Sequence, residues 1–190
     1  LMGIETAGNI NMLFTDKTGT ITKGKLDVIA ISDAEGNIYK SKQELKQNPS
    51  YYTRVKLSLI ANNESKYSDE NIPVGGNITD RALLKFFKSS NLNYKIKDKI
   101  PFNSENKYAL TEVEYQSKTI NFIKGAPEVI IKKCTHYYKN EQKRLLTNKA
   151  KIYSQIKKAT DQGIRVLAFG TTASKRNIER ITLIGLVYIK

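Results

Sequence analysis

The sequence contains no tryptophan, one cysteine and one histidine, and these shortages exclude several classes of protein. The single cysteine, Cys134, cannot form an intramolecular disulfide, and with His136 alone it cannot complete a zinc site. Both residues are interpreted as structural, and a reducing, cytosolic compartment fits. Long apolar runs are also absent, because the longest, at residues 181–189, is far shorter than the roughly 20 residues of a membrane-spanning helix. We expect a soluble segment without a signal or transit peptide.

Acidic residues are scarce as well. The chain has 18 acidic residues against 32 lysines and arginines, which gives a formal charge of +14 and a pI near 9.7. This surplus suits an acidic partner, and nucleic acid is one possibility. The lysines are spread along the whole chain and do not form one stripe, so charge alone is a weak argument for nucleic-acid binding.

One short segment limits the function far more tightly than composition does. Residues 16–22 have the sequence DKTGTIT and follow an apolar run at residues 10–14. Asp16 is therefore predicted just past the end of a buried strand, where open α/β sheets bind ligands. An aspartate that attacks a phosphoryl group needs a nearby cation, backbone donors and small residues, and Lys17, Thr18 and Gly19 supply them.

This segment resembles the signature of the P-type ATPases, in which the aspartate of Asp-Lys-Thr-Gly-Thr-[Leu/Ile/Thr]-Thr becomes phosphorylated from ATP. Residues 5–8, with the sequence ETAG, are similar to the lead-in of the same family. The resemblance implies that Asp16 is the phosphoryl acceptor, with Lys17 and Thr18 beside it. It also implies that Mg²⁺ bridges the phosphate, the Asp16 carboxylate and the backbone carbonyl of Thr18.

The residue at position 18 distinguishes an enzyme that hydrolyses its aspartyl phosphate quickly from one in which this intermediate persists. Phosphatases of the related haloacid dehalogenase group usually carry a second aspartate two residues after the nucleophile, where it helps water to hydrolyse the aspartyl phosphate. Thr18 occupies that position here, so the covalent intermediate is expected to persist. This favours a pump over a phosphatase.

The pattern along the rest of the chain predicts an α+β domain. Residues 26–31 are expected to form a strand that enters a hairpin at residues 35–37, and helical spacing follows at residues 52–60. Residues 62–76 are predicted to be a polar loop, and Asn77 is expected to cap the next helix.

The second half alternates strands with helices. Strands are predicted at residues 95–102, 108–115, 118–123, 164–169 and 181–189. Pro127 is expected to open one helix, and Thr147 is expected to cap another that Gly163 ends. The close spacing of the strands favours antiparallel pairing. Phe86, Phe87, Phe122 and Phe169 are assigned to the core.

Four further segments resemble P-type ATPases in the expected order. They are GNITDRAL at residues 76–83, PFNSENK at 101–107, KGAPE at 124–128 and GIRVLA at 163–168. The last two lie close to the nucleotide-domain motifs of the family. The resemblance implies an ATP site formed by Asp80, Phe102, Lys107, Lys124, Gly125 and Arg165.

Each of these residues has a physical reason to be there. Phe102 offers an aromatic face on which adenine can stack. Gly125 allows close approach of a ligand to the backbone, and Arg165 offers a planar fork of donors to ribose or phosphate. By resemblance, Lys124 lines the adenine and phosphate side of the pocket and Lys107 supports it.

Asp80 occupies the place of a glutamate in the family, and Ile78 replaces the usual proline. Two interpretations of Asp80 stay open. It accepts a hydrogen bond from the adenine edge, directly or through water, or it is only an acid that stabilises the first turn of a helix.

The resemblance implies that the chain contains two pieces of a cation-transporting P-type ATPase, and it is most similar to the calcium-pump branch. Residues 1–22 would be a fragment of the α/β haloacid-dehalogenase-like phosphorylation domain, and residues 23–190 the nucleotide-binding domain. Because the segment begins at Leu1, it is interpreted as part of a longer membrane protein with this domain on the cytoplasmic side. The expected partners are ATP or ADP and the remaining phosphorylation, actuator and transmembrane domains. The fragment alone is expected to bind nucleotide without hydrolysing it.

Two alternatives remain at this point. A haloacid-dehalogenase-type phosphatase with a large cap domain would need the acid that Thr18 replaces, and it would leave residues 124–128 unexplained. A basic nucleic-acid-binding module would account for the charge and for none of the motifs.

Overall fold

The computed structural model describes residues 24–89 and 91–190 of the chain. The five helices of this part are α1 (Lys42–Lys46), α2 (Pro49–Ala61), α3 (Ile78–Phe87), α4 (Pro127–Lys133) and α5 (Lys149–Thr160). Its strands are β1 (Val28–Ser32), β2 (Ile38–Tyr39), β3 (Ser65–Tyr67), β4 (Pro73–Gly75), β5 (Lys95–Ile100), β6 (Tyr108–Tyr115), β7 (Lys118–Gly125), β8 (Cys134–Lys139), β9 (Gln142–Leu145), β10 (Arg165–Thr172) and β11 (Ile181–Ile189).

Nine of these strands form one sheet whose main path runs β2-β1-β11-β10-β7-β6-β5. Neighbours along this path are antiparallel, whereas β8 pairs in parallel with the first residues of β11 and antiparallel with β9. The predicted antiparallel sheet flanked by helices is therefore confirmed.

The β6–β7 hairpin is the most regular part of the sheet. Tyr115 pairs with Lys118 across a two-residue turn, and Gln116 and Ser117 in that turn have φ angles of 49° and 61°. Two successive positive φ angles give a turn whose twist matches that of the flanking strands. The hairpin was predicted at this position.

Side chains on the two faces of the sheet enter separate apolar cores. Phe122, Val113 and Phe169 pack with residues of α2 and α3 on one face. On the other face, Ile123 and Leu110 pack with residues of α4 and α5. Strand β11 is buried along its whole length because both cores use it, which explains its continuous apolar sequence.

The assignment of phenylalanines to the core is confirmed for Phe87, Phe122 and Phe169, which are fully buried. Phe86 is partly buried and packs against the same core. Phe102 is 53% exposed.

Local signals for the helix starts agree in part with the structure. The Asn77 side chain accepts a hydrogen bond from the Asp80 amide at 2.8 Å, so the predicted cap of α3 is confirmed. Helix α5 begins after Asn148 and not at Thr147, and Asn148 makes no side-chain capping bond. The predicted cap at Thr147 is therefore wrong by one residue.

Three short elements were missed. The expected loop at residues 62–76 contains the β3–β4 hairpin, and α1 and the β8–β9 hairpin lie in stretches where no regular structure was predicted. Each is short, and β8 is stabilised by pairing with β11, a strand far away in sequence. Such long-range pairing leaves no local pattern to detect.

The two ends of the domain lie side by side. The Asp27 amide donates to the Lys190 carbonyl at 2.9 Å, and the Lys190 amide donates to the Asp27 carbonyl at 3.0 Å. Val28 then pairs with Ile189 in the β1–β11 ladder. The predicted phosphorylation-domain fragment at residues 1–22 lies outside the described residues, so the domain boundary stays a prediction. In residues 24–89 and 91–190, no helix is long and apolar enough to cross a membrane.

Cys134 provides a test of the packing around β8. It is 1% exposed, and burial raises the pKa of its thiol to about 12. Because the thiolate is the reactive form, iodoacetamide should label the native chain very slowly at pH 8 and rapidly in 8 M urea. Mass spectrometry can follow this single site, and rapid labelling of the native chain would contradict the packing described here.

Candidate functional site

A cavity of about 660 Å³ lies where β6, β7 and β10 meet the start of α3 and one side of α5. This volume is within the range of cavities that hold small organic ligands. Its lining consists of Asn77, Ile78, Thr79, Asp80, Phe102, Ala109, Lys124, Gly125, Ala126, Pro127, Glu128, Tyr153, Ile156, Thr160, Arg165, Val166 and Leu167.

Much of the wall is apolar or aromatic. Ile156, Val166 and Leu167 contribute aliphatic surface, and Phe102 and Tyr153 contribute rings that are 53% and 39% exposed. Both aromatic residues therefore present flat apolar surface that is open to solvent at this cavity. A planar ligand would remove this surface from water.

A buried ion pair lies in the wall. The Lys124 ammonium donates to Asp80 Oδ1 at 2.6 Å and to the Asn62 carbonyl at 2.7 Å, and the two charged side chains are 8% and 4% exposed. Burial holds the pKa of Lys124 below its ordinary value, while the neighbouring Asp80 carboxylate acts in the opposite direction. Since an ammonium has three donors, at most one remains for a ligand.

Both oxygens of the Asp80 carboxylate accept hydrogen bonds from the protein. Its Oδ1 receives Lys124, and its Oδ2 receives the backbone amide of Glu64 at 2.9 Å. Asp80 therefore does more than stabilise the first turn of α3, because its carboxylate neutralises the buried ammonium of Lys124 in β7. This arrangement was not among the two interpretations that the sequence left open.

The residues after α2 hold this pair in place. The Asn62 amide nitrogen donates to the carbonyls of Ala109 and Phe122 at 3.0 and 3.3 Å, and its oxygen accepts from the Thr111 hydroxyl at 2.9 Å. The Asn63 amide donates to the backbone carbonyl of Asp80 at 3.1 Å. Helices α2 and α3 are therefore tied to β6 and β7 at the cavity.

Gly125 is required for a reason that differs from the expected one. A Cβ atom at this position would lie 2.3 Å from the Lys107 carbonyl and 2.8 Å from Tyr108. The Ala126 amide donates to the same carbonyl at 3.0 Å. Gly125 thus allows β7 to approach the chain at the start of β6, and it also lines the cavity.

Lys107 does not line the cavity. Its ammonium lies 3.5 Å from Glu128 Oε1, and both side chains are more than half exposed. Its φ of 59° and its backbone carbonyl shape the turn that precedes β6. Lys107 was expected to support the pocket and not to line it, and its side chain contacts Glu128, which does line the cavity.

Arg165 lies at the exposed side of the cavity. Its Nη1 donates to the Thr79 hydroxyl at 2.8 Å. The guanidinium has further donors beyond this bond, and no carboxylate of the described residues lies within 4 Å of it. Arg165 can therefore bind an acceptor on a ligand while Thr79 fixes its direction.

The structure brings together five of the six residues that the resemblance implied, namely Asp80, Phe102, Lys124, Gly125 and Arg165. Sequence reasoning missed the contribution of α5 through Tyr153, Ile156 and Thr160. Ile156 is half-buried, because it packs against the core beneath α5 and also lines the cavity. A pattern of helical spacing cannot distinguish these two situations.

Asp16, Lys17 and Thr18 lie outside the described residues, so their roles as acceptor and magnesium ligands stay predictions. Within the part of the chain that the structure describes, no three histidine, cysteine, aspartate or glutamate side chains are grouped as a metal site would require.

Comparison with known proteins defines the family. The family described as P-type ATPase, cytoplasmic domain N, matches residues 51–187. These residues include both β6 and β7, all the cavity-lining segments and the buried ion pair. The chain therefore belongs to the P-type ATPases and contains their cytoplasmic domain N.

Individual relatives are similar along most of the chain. A calcium-transporting ATPase of Listeria monocytogenes is 28% identical over 98% of this chain and 23% of its own length. The calcium-transporting ATPase type 2C member 2 of Rattus norvegicus is 29% identical over 98% of this chain and 22% of its own length. The potassium-transporting ATPase alpha chain 2 of Cavia porcellus is 29% identical over 89% of this chain and 19% of its own length. The chain thus spans about a fifth of the relatives it matches.

The buried ion pair generates a stability prediction. Replacing Asp80 with alanine should lower the free energy of unfolding by about 3–5 kcal/mol, because it leaves a buried ammonium without its partner. Replacing both members, as in Asp80→Leu with Lys124→Met, should cost less than Asp80→Ala alone. Urea unfolding followed by circular dichroism measures these differences.

Asp27→Ala is the matched control, because Asp27 forms an exposed ion pair with Lys85. Exposed pairs contribute little to stability, so the control should unfold near the wild-type midpoint. Equal losses for Asp80→Ala and Asp27→Ala would show that the Lys124 pair is not the structural tie described here.

Proposed function

We propose that residues 23–190 are the nucleotide-binding domain of a cation-transporting P-type ATPase and that the cavity binds ATP. Residues 1–22 would be the start of its phosphorylation domain. The bound ATP presents its terminal phosphoryl group to Asp16, and the resulting aspartyl phosphate drives transport by other parts of the protein. Membership in the family supports this proposal, and the cavity supplies the chemistry.

The exposed ring of Phe102 is the observation that carries the proposal. A phenylalanine that is 53% exposed beside a cavity of about 660 Å³ leaves a large apolar face open to water. An adenine ring stacked on that face would gain on the order of 1–3 kcal/mol. Val166 and Leu167, across the same cavity, supply further apolar surface for the ring.

Polar groups around the cavity have complementary tasks. Arg165 donates to ribose or phosphate oxygens, held in direction by Thr79. The ion pair of Lys124 and Asp80 has little net charge, so its main role is to hold the cavity wall in place. The Lys124 ammonium also has one donor left for a ligand. Arg165 is therefore the main cation that a bound nucleotide meets here.

The phosphoryl acceptor is proposed from the sequence. Asp16 has the context of a nucleophile, and Lys17 and Thr18 supply a cation and donors beside it. Bound Mg²⁺ would neutralise the phosphate oxygens, with Asp16 and Thr18 as its proposed ligands in this chain.

The whole protein is proposed to be a cation pump of the cell membrane with this domain on its cytoplasmic side. Calcium is the favoured ion, because two of the relatives described above are named as calcium-transporting ATPases. ATP or ADP and the remaining domains of the same polypeptide are its proposed partners.

Nucleotide titration of the isolated chain tests the cavity. ATP without added Mg²⁺ should shift the backbone NMR signals of Phe102, Gly125 and Arg165 together, because these residues surround one site. Phe102→Ala should weaken binding by about 5- to 150-fold, the equivalent of the stacking energy. Its melting temperature should change little, because the ring is mostly exposed.

Leu145→Ala is the control, since Leu145 is 67% exposed and does not line the cavity. It removes a comparable exposed apolar side chain and should leave ATP affinity unchanged. If ATP shifts only residues outside the cavity lining, or if Phe102→Ala binds ATP like the wild type, the pocket assignment is wrong.

A labelling experiment tests the proposed acceptor. The isolated chain should remain unphosphorylated with labelled ATP and Mg²⁺, because phosphoryl transfer needs positioning groups from the rest of the phosphorylation domain. The full-length protein should form an acid-stable, hydroxylamine-sensitive adduct that Asp16→Asn abolishes. An adduct that survives Asp16→Asn would assign the chemistry to another residue.

A further inference from the structure

A second cavity, of about 750 Å³, lies at the other end of the β6–β7 hairpin. Its lining shares no residue with the first cavity. Lys118 and Ile120 of β7 line the second cavity, whereas Lys124 and Gly125 of the same strand line the first. At about 3.3 Å per residue, these pairs lie roughly 15–20 Å apart along the strand.

The lining of this second cavity combines apolar and polar residues. Its aliphatic and phenylalanine side chains, Leu57, Ile120 and Phe122, are called its floor, and Ser50, Thr53 and Thr171 also line it. Such a floor favours a ligand that has an apolar or aromatic body.

The charges at this cavity are mostly positive. Arg54, Lys118 and Lys143 contribute three cations, and Glu141 contributes one carboxylate. Among the described residues, none of the three cations has a carboxylate within 4 Å. Three unpaired cations against one carboxylate give the lining a net positive charge, which favours an anionic ligand.

Contacts within the protein fix the positions of Arg54 and Tyr138, which line the second cavity. The Arg54 guanidinium lies 4.1 Å from the centre of the Tyr138 ring and donates to the Asn140 carbonyl at 2.6 Å. Tyr138 is fixed in turn by a hydrogen bond of 2.8 Å between its hydroxyl and that of Thr171. Lys143 lies 5.8 Å from the centre of the same ring. These contacts orient the cations before any ligand arrives.

We propose that this second cavity binds a small organic anion, in which a carboxylate, sulfonate or phosphate group is joined to an apolar or aromatic body. Arg54 and Lys143 bind the anionic group, and the floor of Leu57, Ile120 and Phe122 contacts the body. The site is separate from the nucleotide cavity and does not depend on the function proposed for it.

The test uses 1-naphthyl phosphate as the probe and the neutral 1-naphthalenemethanol as its uncharged counterpart. The phosphate should shift the NMR signals of Leu57, Ile120 and Thr171 in a saturable way. The alcohol should bind at least about tenfold more weakly, because it forms no charge-assisted hydrogen bond with Arg54 or Lys143.

Two variants examine the cations separately. Arg54→Gln and Lys143→Gln should each weaken binding of 1-naphthyl phosphate by about tenfold. Lys143 is an exposed residue of β9, so its replacement should leave the fold intact even where loss of the Arg54–Tyr138 contact disturbs the hairpin. Lys132→Gln and Lys158→Gln are matched controls, because both are exposed lysines outside this lining, and they should bind the probe like the wild type.

Two outcomes would overturn the proposal. They are the absence of saturable shifts at the second cavity and equal weakening by the control variants. Because ATP binding is followed at Phe102 and Arg165, failure of the nucleotide site and failure of this site give different results.

Discussion

The buried ion pair between Lys124 and Asp80 is the constraint on which the geometry of the first cavity depends. Its two charges come from a strand and a helix that are 44 residues apart in sequence. An ammonium removed from water is costly unless an acceptor is close, so the fold is stable only with α3 docked against the end of β7. Asn62 and Asn63, which follow α2, extend this requirement to that helix. The Asn62 carbonyl accepts from the Lys124 ammonium, and the Asn63 side-chain amide donates to the Asp80 backbone carbonyl. The cavity wall is therefore set by electrostatic compensation as much as by apolar packing.

A structural feature can be predicted from this sequence when the residues that determine it lie close together in the chain. The β6–β7 hairpin and the Asn77 cap were predicted because a turn and a cap are determined by neighbouring residues. Phe102 was identified from a motif whose spacing is local. The partnership of Asp80 with Lys124 was not predicted, since no pattern within α3 reveals which strand will lie beside it. Lys107 shows the same limit, because its position in a motif does not reveal that its side chain extends toward Glu128.

The β8–β9 hairpin illustrates why missed elements matter for function. Its strand β8 contains threonine and tyrosine, which are common in strands, but its pairing with β11 depends on contacts that form only in the folded chain. This hairpin supplies Tyr138 and Lys143, which form one wall of the second cavity. The two cavities thus differ in how they can be found. The first is marked by sequence motifs, whereas the second exists only through tertiary pairing.

The paired backbone of Asp27 and Lys190 has a mechanical meaning. The chain enters β1 and leaves β11 at adjacent positions, so a rotation between this domain and any attached polypeptide needs changes in only the few backbone torsions beside this pair. Neither Asp27 nor Lys190 lines either cavity. Such a rotation would therefore move both cavities together and leave both apolar cores intact.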